Sequence, residues 1–128
     1  ADVAAELIAM GCYQVSLGDT IGAGTPESVG RMLDAVLARL PAHRLAGHFH
    51  DTRGRALDNI ALCLSRGLRT FDSSVGGLGG CPYAPGAKGN VATEAVVSLL
   101  DRLGFETGVD LARLTEVAAF AQSLRSGT

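Results

Sequence analysis

"RLAGHFHDTRGRALDNIALCLSRG", residues 44–67, decides the fold. Its first seven residues read as a short strand, and residues 55–67 read as an amphipathic helix that stops at Gly67. The same unit recurs on both sides. Upstream, "YQVSL" at residues 13–17 is strand-like, and "GTPES" then supplies Thr25 as N-cap, Pro26 at the first helical position and Glu27 near the positive end of the helix dipole. That helix sets Val29, Met32, Leu33, Val36, Leu37 and Leu40 on one apolar stripe before Pro41 forbids continuation. An earlier helix is expected over residues 2–10, with Gly11 just past its end. Downstream, "LRTFDSSV" (68–75) predicts a third strand, residues 90–104 a third helix, and Asp110 the cap of a last helix through about Ser123. Strand and helix alternating at a roughly 30-residue spacing are the pattern of βαβ units around a parallel sheet, an α/β fold.

Composition narrows the function classes. A chain of 128 residues, 47% hydrophobic and 19% charged, is long enough for one globular domain and too balanced for disorder. A net charge of -2 with scattered Lys and Arg offers no stripe for a phosphate backbone, so no nucleic-acid partner is expected. No run reaches membrane-spanning length, and no membrane partner is expected. Cys12, Cys63 and Cys81, odd in number and far apart, fit a reducing compartment, by default the cytoplasm. The opening "ADVAAELIAMG" reads as the last turns of a helix already under way, and the chain is expected to be a piece of a longer one.

Polar residues gather where strands end. "SLGDT", "HFHDT" and "DSSVGGLGGCPY" all follow a strand and precede a helix, which places them on the carboxyl edge of a parallel sheet. His48 and His50, two apart on a strand, point to one face and can converge on a divalent ion; with carboxylate, amide and water completing the sphere, Mg²⁺ or Mn²⁺ is favoured over Zn²⁺. Two hydrogen-bonded structural histidines would look the same in sequence. His43, in the turn after Pro41, reads as a solvated loop residue. Asp19, followed by Thr20, can be a base, a ligand, a substrate acceptor or a loop cap. Asp72, Ser73 and Ser74 read either as an inward polar ladder or as a turn. Asn90 stands where an N-cap would stand, and Glu94 falls in the first turn of the following helix.

The segment "SVGGLGGCPYAPGAKGN", residues 74–90, holds six glycines, two prolines and Cys81. Glycines permit positive φ and close backbone approach, so such a loop at a catalytic rim reads as a lid that carries a thiol. Pro82 restricts Cys81 to extended conformations. A buried inert cysteine is the competing reading.

"SLGDTIGAGTP", "GHFHDTRGRAL", "DSSVGGLGGCPYAPGAKGN" and "NVATE" together resemble the carboxyl-terminal half of the hydroxymethylglutaryl-CoA lyase family, metal-dependent (β/α)8-barrel enzymes. The resemblance spans nearly the whole chain, and Gly-Cys-Pro-Tyr at residues 80–83 is its most specific part: isopropylmalate and homocitrate synthases would show a Gly-Glu-Arg type of segment there. It implies a partial (β/α)8 barrel, the last three β/α units plus a carboxyl-terminal helix, with residues 1–128 belonging to one catalytic domain. It implies that His48, His50 and Asn90 bind Mg²⁺ or Mn²⁺, that Glu94 supports Asn90, and that Cys81 takes part in proton transfer. Asp19 and His48 are then the acid-base candidates, and Ser16 and Thr20 contact substrate. The implied reaction cleaves 3-hydroxy-3-methylglutaryl-CoA to acetyl-CoA and acetoacetate, with an acyl-CoA as partner and a homo-oligomer, a dimer, as the full-length assembly. A related condensing enzyme and a non-catalytic barrel remnant are the alternatives. The family's remaining ligand, an aspartate beside a catalytic arginine on the first barrel strand, has no counterpart in these residues. The chain alone is therefore expected to be inactive and to self-associate through its open sheet edges.

Overall fold

Thr25 starts a helix where the sequence asks for one. Its hydroxyl accepts the Ser28 N–H, and the Ser28 hydroxyl answers on the Thr25 N–H at 2.9 Å, closing a capping box ahead of Pro26. The computed structural model describes residues 1–79 and 89–125. In order the elements are α1 (Asp2–Ala9), β1 (Val15–Asp19), α2 (Pro26–Leu37), β2 (Leu45–Phe49), α3 (Ala56–Ser65), β3 (Thr70–Asp72), α4 (Thr93–Arg102) and α5 (Leu111–Arg125). Single 3-10 turns lie at Ala42–Arg44 and Val75–Gly77. The strands make one parallel sheet in the order β1-β2-β3, as the β/α rhythm predicts.

The strand boundaries differ from the sequence expectation, most at β1 and β3. β1 begins at Val15 rather than residue 13, because its ladder is set by β2: Val15 pairs with Leu45 and Asp19 with Phe49. Tyr13 is left exposed. β3 shrinks from the expected eight residues to Thr70–Asp72, and the chain then turns at Val75–Gly77 with Gly76 at φ 68°. Beyond the strand, Ser74 keeps only an isolated bridge to Ala92. Asp110 caps α5 as expected, accepting the Arg113 N–H at 3.1 Å.

Strand alternation gives the sheet two unlike faces. Val15, Leu17, Leu45, Phe49 and Phe71 turn toward the helices and join Val29, Leu33, Val36, Ile60, Leu64, Val96 and Leu99 in the core. Leu33, Leu45, Ile60 and Leu68 are wholly buried, each contributing about 1.5–3 kcal/mol. Gly47 is required there, since a Cβ would press on the Phe49 and Phe71 rings at 2.8 and 3.0 Å. Cys63 lies in this core, and burial pushes its thiol up to about 11. The opposite face carries Ser16, Gly18, Ala46, His48, Thr70 and Asp72, a polar row beside apolar layers. Among the described residues no helix is long and apolar enough to cross a membrane.

Candidate active site

His48 sits on the polar face of β2, between Gly18 of β1 and Asp72 of β3 in register. Gly18 has open space where a side chain would be, which leaves the imidazole room. His50 follows one residue beyond the strand, and the two rings stand 5.2 Å apart at 68°. Each Nδ1 has a fixed partner. The His48 Nδ1 lies 3.4 Å from the Asp72 carboxylate, and the His50 Nδ1 lies 3.1 Å from the Asp19 carbonyl oxygen, to which it donates. The hydrogen-bonded Nδ1–H of His50 leaves its Nε2 as the lone-pair donor, the arrangement seen when imidazole binds a metal. Neither Nε2 has a partner among the described residues.

Asn90 joins them through the backbone. It bridges His50 in antiparallel fashion, and its N–H donates to the Gly79 carbonyl at 3.2 Å. The helix that follows begins at Thr93 with Ala92 as N-cap, so the N-cap alternative for Asn90 is corrected. Its Nδ2 donates instead to the Leu78 carbonyl at 3.1 Å, and the amide oxygen has no partner among the described residues. Glu94 makes no hydrogen bond to Asn90. It accepts the Gly76 N–H at 3.0 Å and so secures the turn that carries Leu78.

Gly79 and Gly89, at φ +92° and +76°, pack backbone against backbone; a Cβ on Gly89 would overlap the Gly79 carbonyl oxygen. The Gly89 carbonyl in turn accepts the Asp51 N–H at 2.9 Å, tying this pair to the end of β2. Cys81 falls outside the described residues.

Asp19 is directed elsewhere. Its residue shares the helix-facing side of β1 with Val15 and Leu17, and its two carboxylate oxygens accept the Ala23 and Gly24 N–H groups at 3.0 and 2.9 Å. This is the loop-cap alternative of the sequence reading. Thr20 is exposed just past the strand, and His43 is exposed in its turn. Ser16 donates to the same Asp72 oxygen that faces His48, at 3.3 Å. Sequence reasoning left Asp72 between ladder and turn; its register opposite His48 is the missing signal, and only pairing supplies it. Ser73 is removed from the face, bonded to Thr93 at 2.8 Å.

His48, His50 and Asn90 thus lie at the carboxyl edge of the sheet, Asn90 bridged to His50 through the backbone and the Asp72 carboxylate next to His48. Among the described residues no three His, Cys, Asp or Glu side chains gather around one point. A larger hollow of about 630 Å³ lies by Asp101, Phe105 and Asp110, away from both histidines.

Comparison with known proteins identifies the family of the chain. The profile of the HMGL-like family matches residues 1–121. The 3-hydroxy-3-isohexenylglutaryl-CoA/hydroxy-methylglutaryl-CoA lyase of Pseudomonas aeruginosa is 59% identical over 89% of this chain and 38% of its own length. The hydroxymethylglutaryl-CoA lyase of Pseudomonas mevalonii is 56% identical over 91% of this chain and 39% of its own. The crystal structure of the HMG-CoA lyase from Brucella melitensis superposes with a TM-score of 0.94 at 65% identity, over 98% of this chain and 44% of that one. The chain therefore spans well under half the length of the relatives it matches.

Proposed function

Because the chain belongs to the HMGL-like family of (β/α)8-barrel enzymes, we propose that the complete gene product cleaves 3-hydroxy-3-methylglutaryl-CoA to acetyl-CoA and acetoacetate. The observation that carries this reading is the pair of imidazoles 5.2 Å apart at the carboxyl edge, with no partner on either Nε2 among the described residues and Asn90 bridged to His50 through the backbone. His48, His50 and Asn90 would hold a divalent ion, with Mg²⁺ or Mn²⁺ suited to a site of mixed nitrogen and oxygen donors. When bound, such an ion lowers the pKa of a substrate hydroxyl as a Lewis acid.

Breaking the carbon–carbon bond requires a base for the tertiary hydroxyl proton and an acid for the departing enolate. Of the two candidate bases, His48 is favoured. It lies on the open face with Asp72 3.4 Å from its Nδ1, whereas the Asp19 carboxylate already accepts two loop N–H groups. The ion and the proton compete for the same Nε2, and the metal affinity of a His48 variant separates the two roles. Ser16 and Thr20 are the proposed substrate contacts, and Cys81 the proposed donor to the enolate carbon. Glu94 acts through its turn on Asn90. A homodimer and a cytoplasmic, reducing location complete the proposal; Cys12 and Cys63 are both free thiols.

The test is product analysis with Mg²⁺ or Mn²⁺ supplied, run on 3-hydroxy-3-methylglutaryl-CoA and on its 3-isohexenyl analogue. Acetyl-CoA and acetoacetate in equal amounts are expected from the first substrate, and from the second, if it is cleaved, acetyl-CoA with the longer 3-oxo acid that keeps the isohexenyl group. No acetoacetate, with free CoA released instead from acetyl-CoA plus a 2-oxo acid, would identify a condensing enzyme.

A further inference from the structure

Asn59 interrupts an apolar stripe. Helix α3 buries Ala56, Asn59, Ile60, Cys63 and Leu64 at steps of three and four, and in this row the amide is 1% exposed. Its Oδ1 is buried with no hydrogen-bond partner, an arrangement that a protein does not keep for stability alone. The Nδ2 group explains its presence. It donates at 3.1 Å to the carbonyl of Gly24, a residue 35 positions away in the loop between β1 and α2.

That loop leads to the site. The Gly24 N–H donates to Asp19 Oδ2 and the Ala23 N–H to Asp19 Oδ1, while the Gly22 N–H reaches the Asp19 carbonyl at 3.3 Å. The same carbonyl takes the His50 Nδ1–H at 3.1 Å. The loop has little slack, since a Cβ on Gly24 would stand 2.9 Å from Asp19 Oδ2 and one on Gly22 would meet the His50 carbonyl at 2.9 Å. A continuous path of hydrogen bonds thus runs from the core of α3 through Gly24 and Asp19 to the His50 ring.

We propose that Asn59 is a positioning residue: by holding Gly24 it fixes the Asp19 carbonyl that selects the Nδ1–H tautomer of His50 and keeps its Nε2 aimed at the ion. This also gives Asp19 a role distinct from acid-base chemistry, as the relay between loop and ring. The proposal rests on the metal-binding reading above, but one of its readouts does not need the metal.

The experiment compares Asn59→Leu with the parent in the complete gene product. Leucine keeps the branching at Cγ, completes the apolar stripe and removes the orphaned oxygen. The midpoint of thermal unfolding should hold or rise, while the Mn²⁺ dissociation constant rises about tenfold, the lower end of the effect of disturbing a ligand's hydrogen-bonded support. In the metal-free protein at pH 8, two-bond nitrogen–proton spectra should show His50 as the Nδ1–H tautomer in the parent and as a mixture in the variant. Gly24→Ala, which crowds the next step of the path at Asp19 Oδ2, should reproduce both changes and decides the matter if Asn59→Leu does not fold. Parental Mn²⁺ affinity and a parental His50 tautomer in a folded variant would overturn the proposal. A parent that binds no Mn²⁺ would instead refute the metal-binding reading, and the tautomer comparison would still test the Asn59 link.

Discussion

Gly89→Ala strikes the point where the glycine-rich segment returns to the sheet. Gly89 has φ +76°, a region in which an L-residue costs about 1–2 kcal/mol. Its new methyl would also overlap the Gly79 carbonyl oxygen, which is backbone and cannot rotate away. Relief requires the two strands of the root to part. That breaks the bonds from the Asn90 N–H to Gly79 and from the Asp51 N–H to Gly89, at about 0.5–1.5 kcal/mol each. Strain and lost bonds together come to about 2–5 kcal/mol, which converts to about 30- to several-thousand-fold at 1.4 kcal/mol per decade. The core does not include this root, so the damage is local: Leu33, Leu45 and Ile60 keep their packing and the helices persist. Circular dichroism should therefore be parental while Mn²⁺ binding, read by calorimetry, weakens at least about 30-fold because the Asn90 amide is no longer held beside His50. A folded Gly89→Ala protein with parental Mn²⁺ affinity and turnover would refute the claim that this root positions Asn90.

His50→Ala should abolish turnover and weaken Mn²⁺ binding more than Asn59→Leu does; His48→Ala should abolish turnover as well, and retention of parental Mn²⁺ affinity in it would assign His48 to proton transfer alone. Cys81→Ser should lower kcat by about 100-fold or more, the usual loss for a proton-transfer group, with metal affinity intact; near-parental turnover would mark the thiol as inert. Cys63, buried with its thiol raised from 9.0 to about 11, contributes stability that is complete below pH 9 and is lost as pH climbs through 11, since the unfolded thiol ionises first. The loss is about 3 kcal/mol and should vanish in Cys63→Val when thermal midpoints are compared at pH 8 and pH 11.

The β/α alternation was legible because each helix announces itself locally. Thr25-Pro26 caps, Pro41 stops, and Gly67 and Gly104 end their helices through short-range geometry alone. Strand extents were not legible. What ends β3 at Asp72 is the register with β2 and the turn at Gly76, neither of which residues 68–75 encode by themselves. The same division holds at the site. His48 and His50 declared a shared face by their spacing, but Asn90 reads as N-cap or ligand until Ala92 is seen to cap the helix, and Asp19 reads as base, ligand, substrate acceptor or loop cap until the Ala23 and Gly24 N–H groups are seen on its oxygens. Asn59 left one trace, an amide in an apolar row, and its partner 35 residues away is visible only in three dimensions.

Gly79 and Gly89 touch, and this has a meaning for how such a protein can diversify. A segment whose two ends are clasped by backbone contacts is thermodynamically insulated from the scaffold that bears it. Changing its length alters closure entropy by only about 0.6 kcal/mol per doubling, a small amount beside the burial of a single core leucine. Residues 80–88 can therefore be lengthened, shortened or exchanged between homologues with the sheet, the histidine pair and Asn90 left in place. The clasp of Gly79 on Gly89 is thus the place where the sequence between them can be exchanged with least disturbance to the sheet.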